Sequence, residues 1–251
     1  MHKFNSDGVE IAFDDEGQGE PVLLIHGFAS NGRVNWVDTS WVKTLAAAGF
    51  RVITIDNRGH GESEKLYDPA LYAAAEMAED ARRLLDHLGI TSACVMGYSM
   101  GARISAFLAI NRPDRVKAAV FAGLAANMIH GVGGGDEIAK GLEAGSIEEV
   151  TDLGAKAFRY FAEQTKSDLK ALAACIKSSR VKITEEMLAT IRVPVLVVAG
   201  GEDMVSGEVG PLAAAIPGAT GLTLPSRNHM NAVGDRHYKD AALTFFKSHL
   251  R

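Results

Sequence analysis

Cysteine is nearly absent from this sequence: Cys94 and Cys175 are the only two among 251 residues, far apart and in no CxxC pairing. That excludes a disulfide framework and a zinc ribbon, and it fits a reducing, cytoplasmic compartment. A basic excess is missing as well. Lys and Arg number 26 against 31 Asp and Glu, a formal charge of −5, so the cationic face of a nucleic-acid binder is not expected. Long apolar runs are lacking too. The longest uncharged stretch, Ala118 to Gly135, is interrupted by Asn127, His130 and five glycines, which excludes a membrane span and a membrane partner. The Met1–Asp7 segment has no apolar secretion-signal core. No internal repeat and no low-complexity tract occurs. The expected partner is a small-molecule substrate.

What is present is a globular balance, 47% hydrophobic and 23% charged, in a chain long enough to bury about three quarters of its unfolded surface. Short apolar runs alternate with helix-length amphipathic segments, which predicts an α/β fold: a mostly parallel central sheet with helices on both faces. Strands are expected at Val9–Phe13 and Pro21–His26, joined by a turn through Gly17-Gln18-Gly19. Others are expected at Arg51–Asp56, Ala93–Gly97, Val116–Ala122, Val193–Ala199 and Gly221–Leu224. Helices are expected at Tyr72–Leu88, at Ser99–Ile110 before Arg112-Pro113, and at Arg236–Leu250. Between residues 127 and 186 the strand rhythm stops, and helical pieces appear near Asp136–Leu142, Ile147–Gln164 and Ser167–Ser178. This organisation reads as one core, residues 1–126 and 187–251, carrying a small helical cap or lid at 127–186.

Gly97-Tyr98-Ser99-Met100-Gly101 fits G-x-S-x-G between an expected strand and an expected helix. A sharp strand-to-helix turn forces its central residue into strained φ/ψ, and side chains two residues either side would collide, a clash that glycine removes. A helix N-cap serine is the plain alternative, but a cap does not require both glycines. A serine hydroxyl needs a histidine base oriented by a carboxylate. His229, in the loop Ser226–Asn231 after the last strand, lies on the same sheet edge, whereas His237 and His249 fall in the final helix. Asp203 after strand 193–199 is the leading acid, with Glu202 the minor alternative. The loop Gly123–Asn127 after the preceding strand has no carboxylate to compete.

Four segments in order, His26-Gly27-Phe28, Asp56 to Ser63, the elbow around Ser99, and Gly201-Glu202-Asp203 with Asn228-His229, resemble the α/β-hydrolase superfamily over nearly the whole chain. The resemblance implies an α/β-hydrolase fold, a Ser99–His229–Asp203 catalytic triad, and an oxyanion hole from the backbone N–H groups of Phe28 and Met100. It implies turn-stabilising roles for His26 and His60 and a loop-tying role for Arg58 and Asp56, with an anionic substrate contact for Arg58 left open. Epoxide hydrolases and haloalkane dehalogenases of the superfamily carry Asp at the elbow, and dienelactone hydrolases Cys. Ser99 therefore points to acyl transfer without cofactor or metal.

The leading expectation is a carboxylesterase acting on a small or medium acyl group through an acyl-enzyme. Phe28, Tyr98, Trp36, Trp41, Met100, Met128 and Met230 are candidate lining residues, though each could equally be core. The alternatives are a lyase, a perhydrolase and a carbon–carbon bond hydrolase. The stretch Gly97–Arg103 also resembles the menaquinone-pathway lyase that eliminates pyruvate, with Tyr98 and Arg103 as substrate contacts. The lid shows no further arginine cluster in its sequence, and Ala102 stands where that family usually has Gly.

Overall fold

The computed structural model describes residues 1–250. Its centre is one eight-stranded sheet in the order β1-β2-β4-β3-β5-β6-β7-β8. The strands are β1 (His2–Ser6), β2 (Val9–Gly17), β3 (Glu20–Ile25), β4 (Phe50–Ile55), β5 (Ala93–Tyr98), β6 (Val116–Ala122), β7 (Val195–Gly200) and β8 (Thr220–Leu224). β1 and β2 are antiparallel, and β2 joins β4 antiparallel; every other pair is parallel. β1 was not among the expected strands. It is an edge strand reading HKFNS, with only Phe4 and Ser6 buried, so its pattern is mostly polar. The Gly17-Gln18-Gly19 turn does link β2 to β3, yet the two are not neighbours, because β4 lies between them.

The parallel strands are buried on both faces, as continuous β-branched and apolar runs require. Odd and even positions serve different layers. Leu23, Ile25, Val95 and Val197 pack with Met77, Leu84 and Leu212. Val22, Leu24, Met96 and Val198 pack with Trp36, Trp41, Tyr238 and Phe246. The second layer is formed by α1 (Trp41–Ala47) and by the C-terminal Arg236–Ser248 helix. The first layer holds α2 (Ala74–His87) and α3 (Met100–Asn111). α3 stops where Arg112 precedes Pro113, because a residue before proline is pushed out of the helical region.

Between β6 and β7 the chain forms α4 (Ala126–His130), α5 (Gly135–Glu143), α6 (Leu153–Gln164), α7 (Leu169–Ser178) and α8 (Glu185–Leu188). The helix expected from Ile147 begins later. Ile147–Glu149 is a 3₁₀ turn, and Asp152 caps α6 by accepting from the Ala155 N–H at 2.7 Å. Asp168 caps α7 in the same way through the N–H groups of Lys170 and Ala171, which moves its start from Ser167 to Leu169. The insertion is not a separate core: Ile138, Leu142, Leu172, Ile176 and Leu188 join the buried layer that holds Leu23 and Ile25. After β7 come α9 (Val209–Ala215) and, after β8, α10 (Arg236–Ser248). No described helix is long and apolar enough to cross a membrane.

Register decides what meets at the sheet's carboxyl edge. Ile25 stands beside Ile55 and Gly97, Tyr98 beside Ala122, and Gly200 beside Leu224. The loops starting at His26, Ser99, Gly123, Gly201 and Pro225 therefore leave the sheet along one rim.

Candidate active site

Ser99 sits at the tip of that rim with φ 56° and ψ −114°, a left-handed backbone that non-glycine residues avoid. The flanking glycines are demanded by close approach. A Cβ on Gly97 would lie 2.1 Å from the Gly101 carbonyl oxygen, and one on Gly101 would lie 1.9 Å from that of Ile25. No side chain fits either position without moving backbone. The Ser99 N–H donates to the Ala122 carbonyl at 2.7 Å, which fixes the turn to the neighbouring strand.

His229 Nε2 stands 3.1 Å from Ser99 Oγ, and His229 Nδ1 stands 2.8 Å from Asp203 Oδ2. Asp203 Oδ1 accepts from the Val205 and Ser206 N–H groups, both at 3.0 Å, so the carboxylate is held from both sides. It is buried, whereas Glu202 is exposed, which resolves the choice between the two acids in favour of Asp203 as the partner of His229. His237 and His249 are exposed.

The His229 loop is built by its own asparagines. Asn228 Oδ1 accepts from the N–H groups of Met230 and Asn231, and Asn231 Oδ1 accepts from Asn228 N–H. Glu202 N–H donates to the Arg227 carbonyl at 2.9 Å, tying this loop to the one bearing Asp203.

The segment His26-Gly27-Phe28 lies against the elbow: a Cβ on Gly27 would come 3.2 Å from the Tyr98 carbonyl oxygen and 3.4 Å from Ser99 Cβ. Among the described residues, neither the Phe28 nor the Met100 N–H donates to a protein acceptor. His26 braces this segment, donating from Nδ1 to Gly27 O and accepting at Nε2 from the Asn57 N–H at 2.9 Å. Burial lowers its pKa to about 4, and that of His60 to about 3. Both are neutral structural imidazoles.

Arg58 and Asp56 do not bind each other. Asp56 accepts from the Gly32 and Glu62 N–H groups, while Arg58 makes a two-pronged pair with Asp80 of α2 and bonds the Leu71 carbonyl. Arg58 is buried in that network and so has no place as a substrate contact.

A narrow cleft opens over Ser99, lined by Phe28, Met100, Arg103 and Leu124 together with Val132, Phe158, Ile176, Ser179 and Arg180 of the insertion, and by Val205. The expected lining is only partly found there. Tyr98 is turned away: it is buried, its hydroxyl donates to the His229 carbonyl at 2.6 Å, and its ring covers Gly123. Burial drives its pKa upward. It shapes the His229 loop and does not reach the cleft. Trp36 and Trp41 are fully buried in the opposite layer, and Met128 is core. Arg103 does line the cleft, with Nη1 donating to the Val181 carbonyl. Arg180 is the residue sequence reasoning missed, because nothing local to a Ser-Ser-Arg helix end marks it as facing α3.

A model of the alpha/beta hydrolase fold matches residues 20–132. The dihydrolipoyllysine-residue acetyltransferase component of an acetoin cleaving system from Cupriavidus necator is 30% identical over 97% of this chain and 67% of its own. The chain belongs to the α/β-hydrolase superfamily. An epoxide hydrolase of Siraitia grosvenorii is 34% identical over 46% of the chain, and a non-heme chloroperoxidase of Kitasatospora aureofaciens is 36% identical over 45%. These matches span 36% and 40% of those relatives' own lengths. The crystal structure of a hydrolase from Pseudomonas aeruginosa superposes on this α/β-hydrolase with a TM-score of 0.82 at 26% identity, covering 98% of this chain and 97% of that one.

Proposed function

We infer that this α/β-hydrolase is a serine hydrolase that cleaves a carboxylic ester of a small or medium acyl group through an acyl-enzyme. One observation carries the reading: Asp203, His229 and Ser99 form a continuous hydrogen-bonded chain ending at a nucleophile on a strained turn inside a cleft. Ser99 Oγ attacks the ester carbonyl while His229 Nε2 takes its proton. Asp203 keeps the other imidazole proton on Nδ1 and stabilises the imidazolium. The carbonyl oxygen becomes an oxyanion between the free N–H groups of Phe28 and Met100, main-chain donors preset before charge develops. His229 then protonates the leaving alkoxide. Water, deprotonated by the same imidazole, attacks the acyl-enzyme, releases the acid and restores Ser99.

A carboxylate nucleophile opens epoxides by alkylation, and Ser99 cannot form that ester; the serine favours acyl transfer even though some relatives are named epoxide hydrolases. The lyase alternative drew on Tyr98 and Arg103 together, and Tyr98 is committed to the His229 loop. The helical insertion at residues 127–186 serves in this reading as the lid. Phe158 meets Phe28 with ring centroids 5.8 Å apart, and Thr165 Oγ1 donates to the Ala29 carbonyl at 2.9 Å.

The test combines a fluorophosphonate probe with p-nitrophenyl esters of rising acyl length. Labelling is expected to vanish in Ser99→Ala, and His229→Gln and Asp203→Asn are expected to lower kcat by about 10³-fold or more. Ester turnover no higher than that of Ser99→Ala defeats the reading.

A further inference from the structure

The charge inside the cleft is at odds with the chain that surrounds it. Arg103 lies one helical turn after Ser99, is 2% exposed, and lines the same cleft as Arg180. The two come from different parts of the fold, α3 and the end of α7. Other buried arginines of this protein spend their donors on protein acceptors. Arg58 is closed by Asp80 and the Leu71 carbonyl, and Arg159 by Glu163 and the carbonyls of Gly141, Leu142 and Ala144.

Arg103 and Arg180 are different. Each bonds through Nη1 alone, Arg103 to the Val181 carbonyl and Arg180 to those of Val132 and Gly133. Among the described residues neither has a carboxylate within ion-pair distance. The Nε and Nη2 groups of Arg103 donate to no protein acceptor among the described residues, and Arg103 and Arg180 both line the cleft. No acidic residue lines it.

Two like charges in a shielded cleft repel each other, and burial together with the Arg180 charge lowers the Arg103 pKa to about 10. Both nevertheless stay cationic at neutral pH. An uncompensated pair of this kind is held at a cost unless an anion shares the space, and a planar guanidinium fork matches a carboxylate best. Phe28, Leu124, Phe158 and Ile176 meanwhile leave the rest of the cleft apolar.

We propose that the substrate of this site carries a carboxylate a few atoms from the scissile carbonyl, bound between Arg103 and Arg180 while Ser99 attacks. The proposal rests on the acyl-transfer reading of Ser99 and narrows its substrate class to anionic esters with a short apolar stem. Arg103 and Arg180 act as specificity-determining residues: they touch the substrate's distal charge and take no part in proton transfer.

Matched ester pairs test it. Mono-p-nitrophenyl glutarate is compared with p-nitrophenyl valerate, placing the charge on the acyl side, and 4-acetoxybenzoate with phenyl acetate, placing it on the alcohol side. For at least one pair the anionic member is expected to show a kcat/KM about tenfold higher or more, in keeping with charge-assisted hydrogen bonds. The Arg180→Gln variant is expected to collapse that ratio toward one through KM, and Arg180→Lys to restore part of it. Arg103→Gln should do the same, but its buried bond to Val181 ties it to folding, so the half-buried Arg180 is the primary variant.

A ratio of one or below for both pairs in the unaltered enzyme overturns the proposal, as does a preference that survives Arg180→Gln and Arg103→Gln. A separate arm does not depend on turnover. Monomethyl glutarate titrated calorimetrically into Ser99→Ala is expected to bind, and about tenfold more weakly once Arg180→Gln is added; no binding, or binding indifferent to Arg180, overturns the anion site. Loss of the acyl-transfer reading shows instead as absent fluorophosphonate labelling, so the two failures are distinguishable.

Discussion

Ser99 at φ 56° holds a conformation that costs roughly 1–3 kcal/mol for a residue with a side chain. The strain lifts Oγ from the β5–α3 turn toward His229, so it is spent on the position of the hydroxyl. Glycine would relieve it, less roughly 0.5–1 kcal/mol of added chain entropy in the unfolded state. Ser99→Gly is therefore expected to lose labelling yet to raise the midpoint of thermal unfolding by about 2 °C or more; scanning calorimetry showing a lower midpoint would contradict strain at this residue. His26 and His60 make a second prediction at this scale. Both are neutral in the folded protein, with pKa values lowered by burial to about 4 and about 3 from 6.5. Above pH 6.5 neither state binds the proton, so they leave stability unchanged. As pH falls below 6.5 the unfolded chain gains protons that the folded one refuses, and stability drops until about pH 4 and below. Urea melts from pH 7 to pH 4.5 are expected to show this loss, and His60→Gln should show less of it than the unaltered protein.

At the scale of elements, the loop after β4 is locked to α2 by one buried ion pair. Arg58 Nε and Nη2 meet the two oxygens of Asp80 at 2.7 Å each, and Ser6 of β1 donates to Asp80 as well. Removing the carboxylate breaks both close bonds and leaves the buried guanidinium only the half-exposed Glu76 at 3.5 Å as counter-charge, so Asp80→Ala is expected to cost about 3 kcal/mol in denaturant unfolding. A loss under about 1 kcal/mol would mean that the pair is dispensable. The helices were legible where apolar spacing and a stop signal agreed, as at α3 before Pro113. The boundaries of α6 and α7 were not, because Asp152 and Asp168 work as N-caps only once the chain turns to bring backbone N–H groups onto their carboxylates. β1 was missed for a related reason: an edge strand with few buried side chains carries no apolar pattern to read.

Across the whole molecule, both thiols are closed inside separate layers. Burial pushes Cys94 and Cys175 up to about 12, so neither offers thiolate at neutral pH. A thiol reagent is expected to leave activity intact and to react only as fast as the protein unfolds, which stopped-flow denaturation with an aromatic disulfide can measure; prompt inactivation of the native enzyme would count against this burial. The alternation of apolar runs and helices, the two glycines around Ser99, and the placing of Asp203 and His229 after the last two strands were all readable along the chain. Each of these is dictated by local backbone geometry, in which a residue's neighbours in sequence are its neighbours in space. The insertion of β4 between β2 and β3, the turning of Tyr98 toward the His229 carbonyl, the capture of Arg58 by Asp80 and the meeting of Arg103 with Arg180 were decided only by the tertiary structure. Such pairings join side chains far apart in the chain, and whether a buried charge is neutralised or left facing a cleft depends on which distant element the packing brings against it.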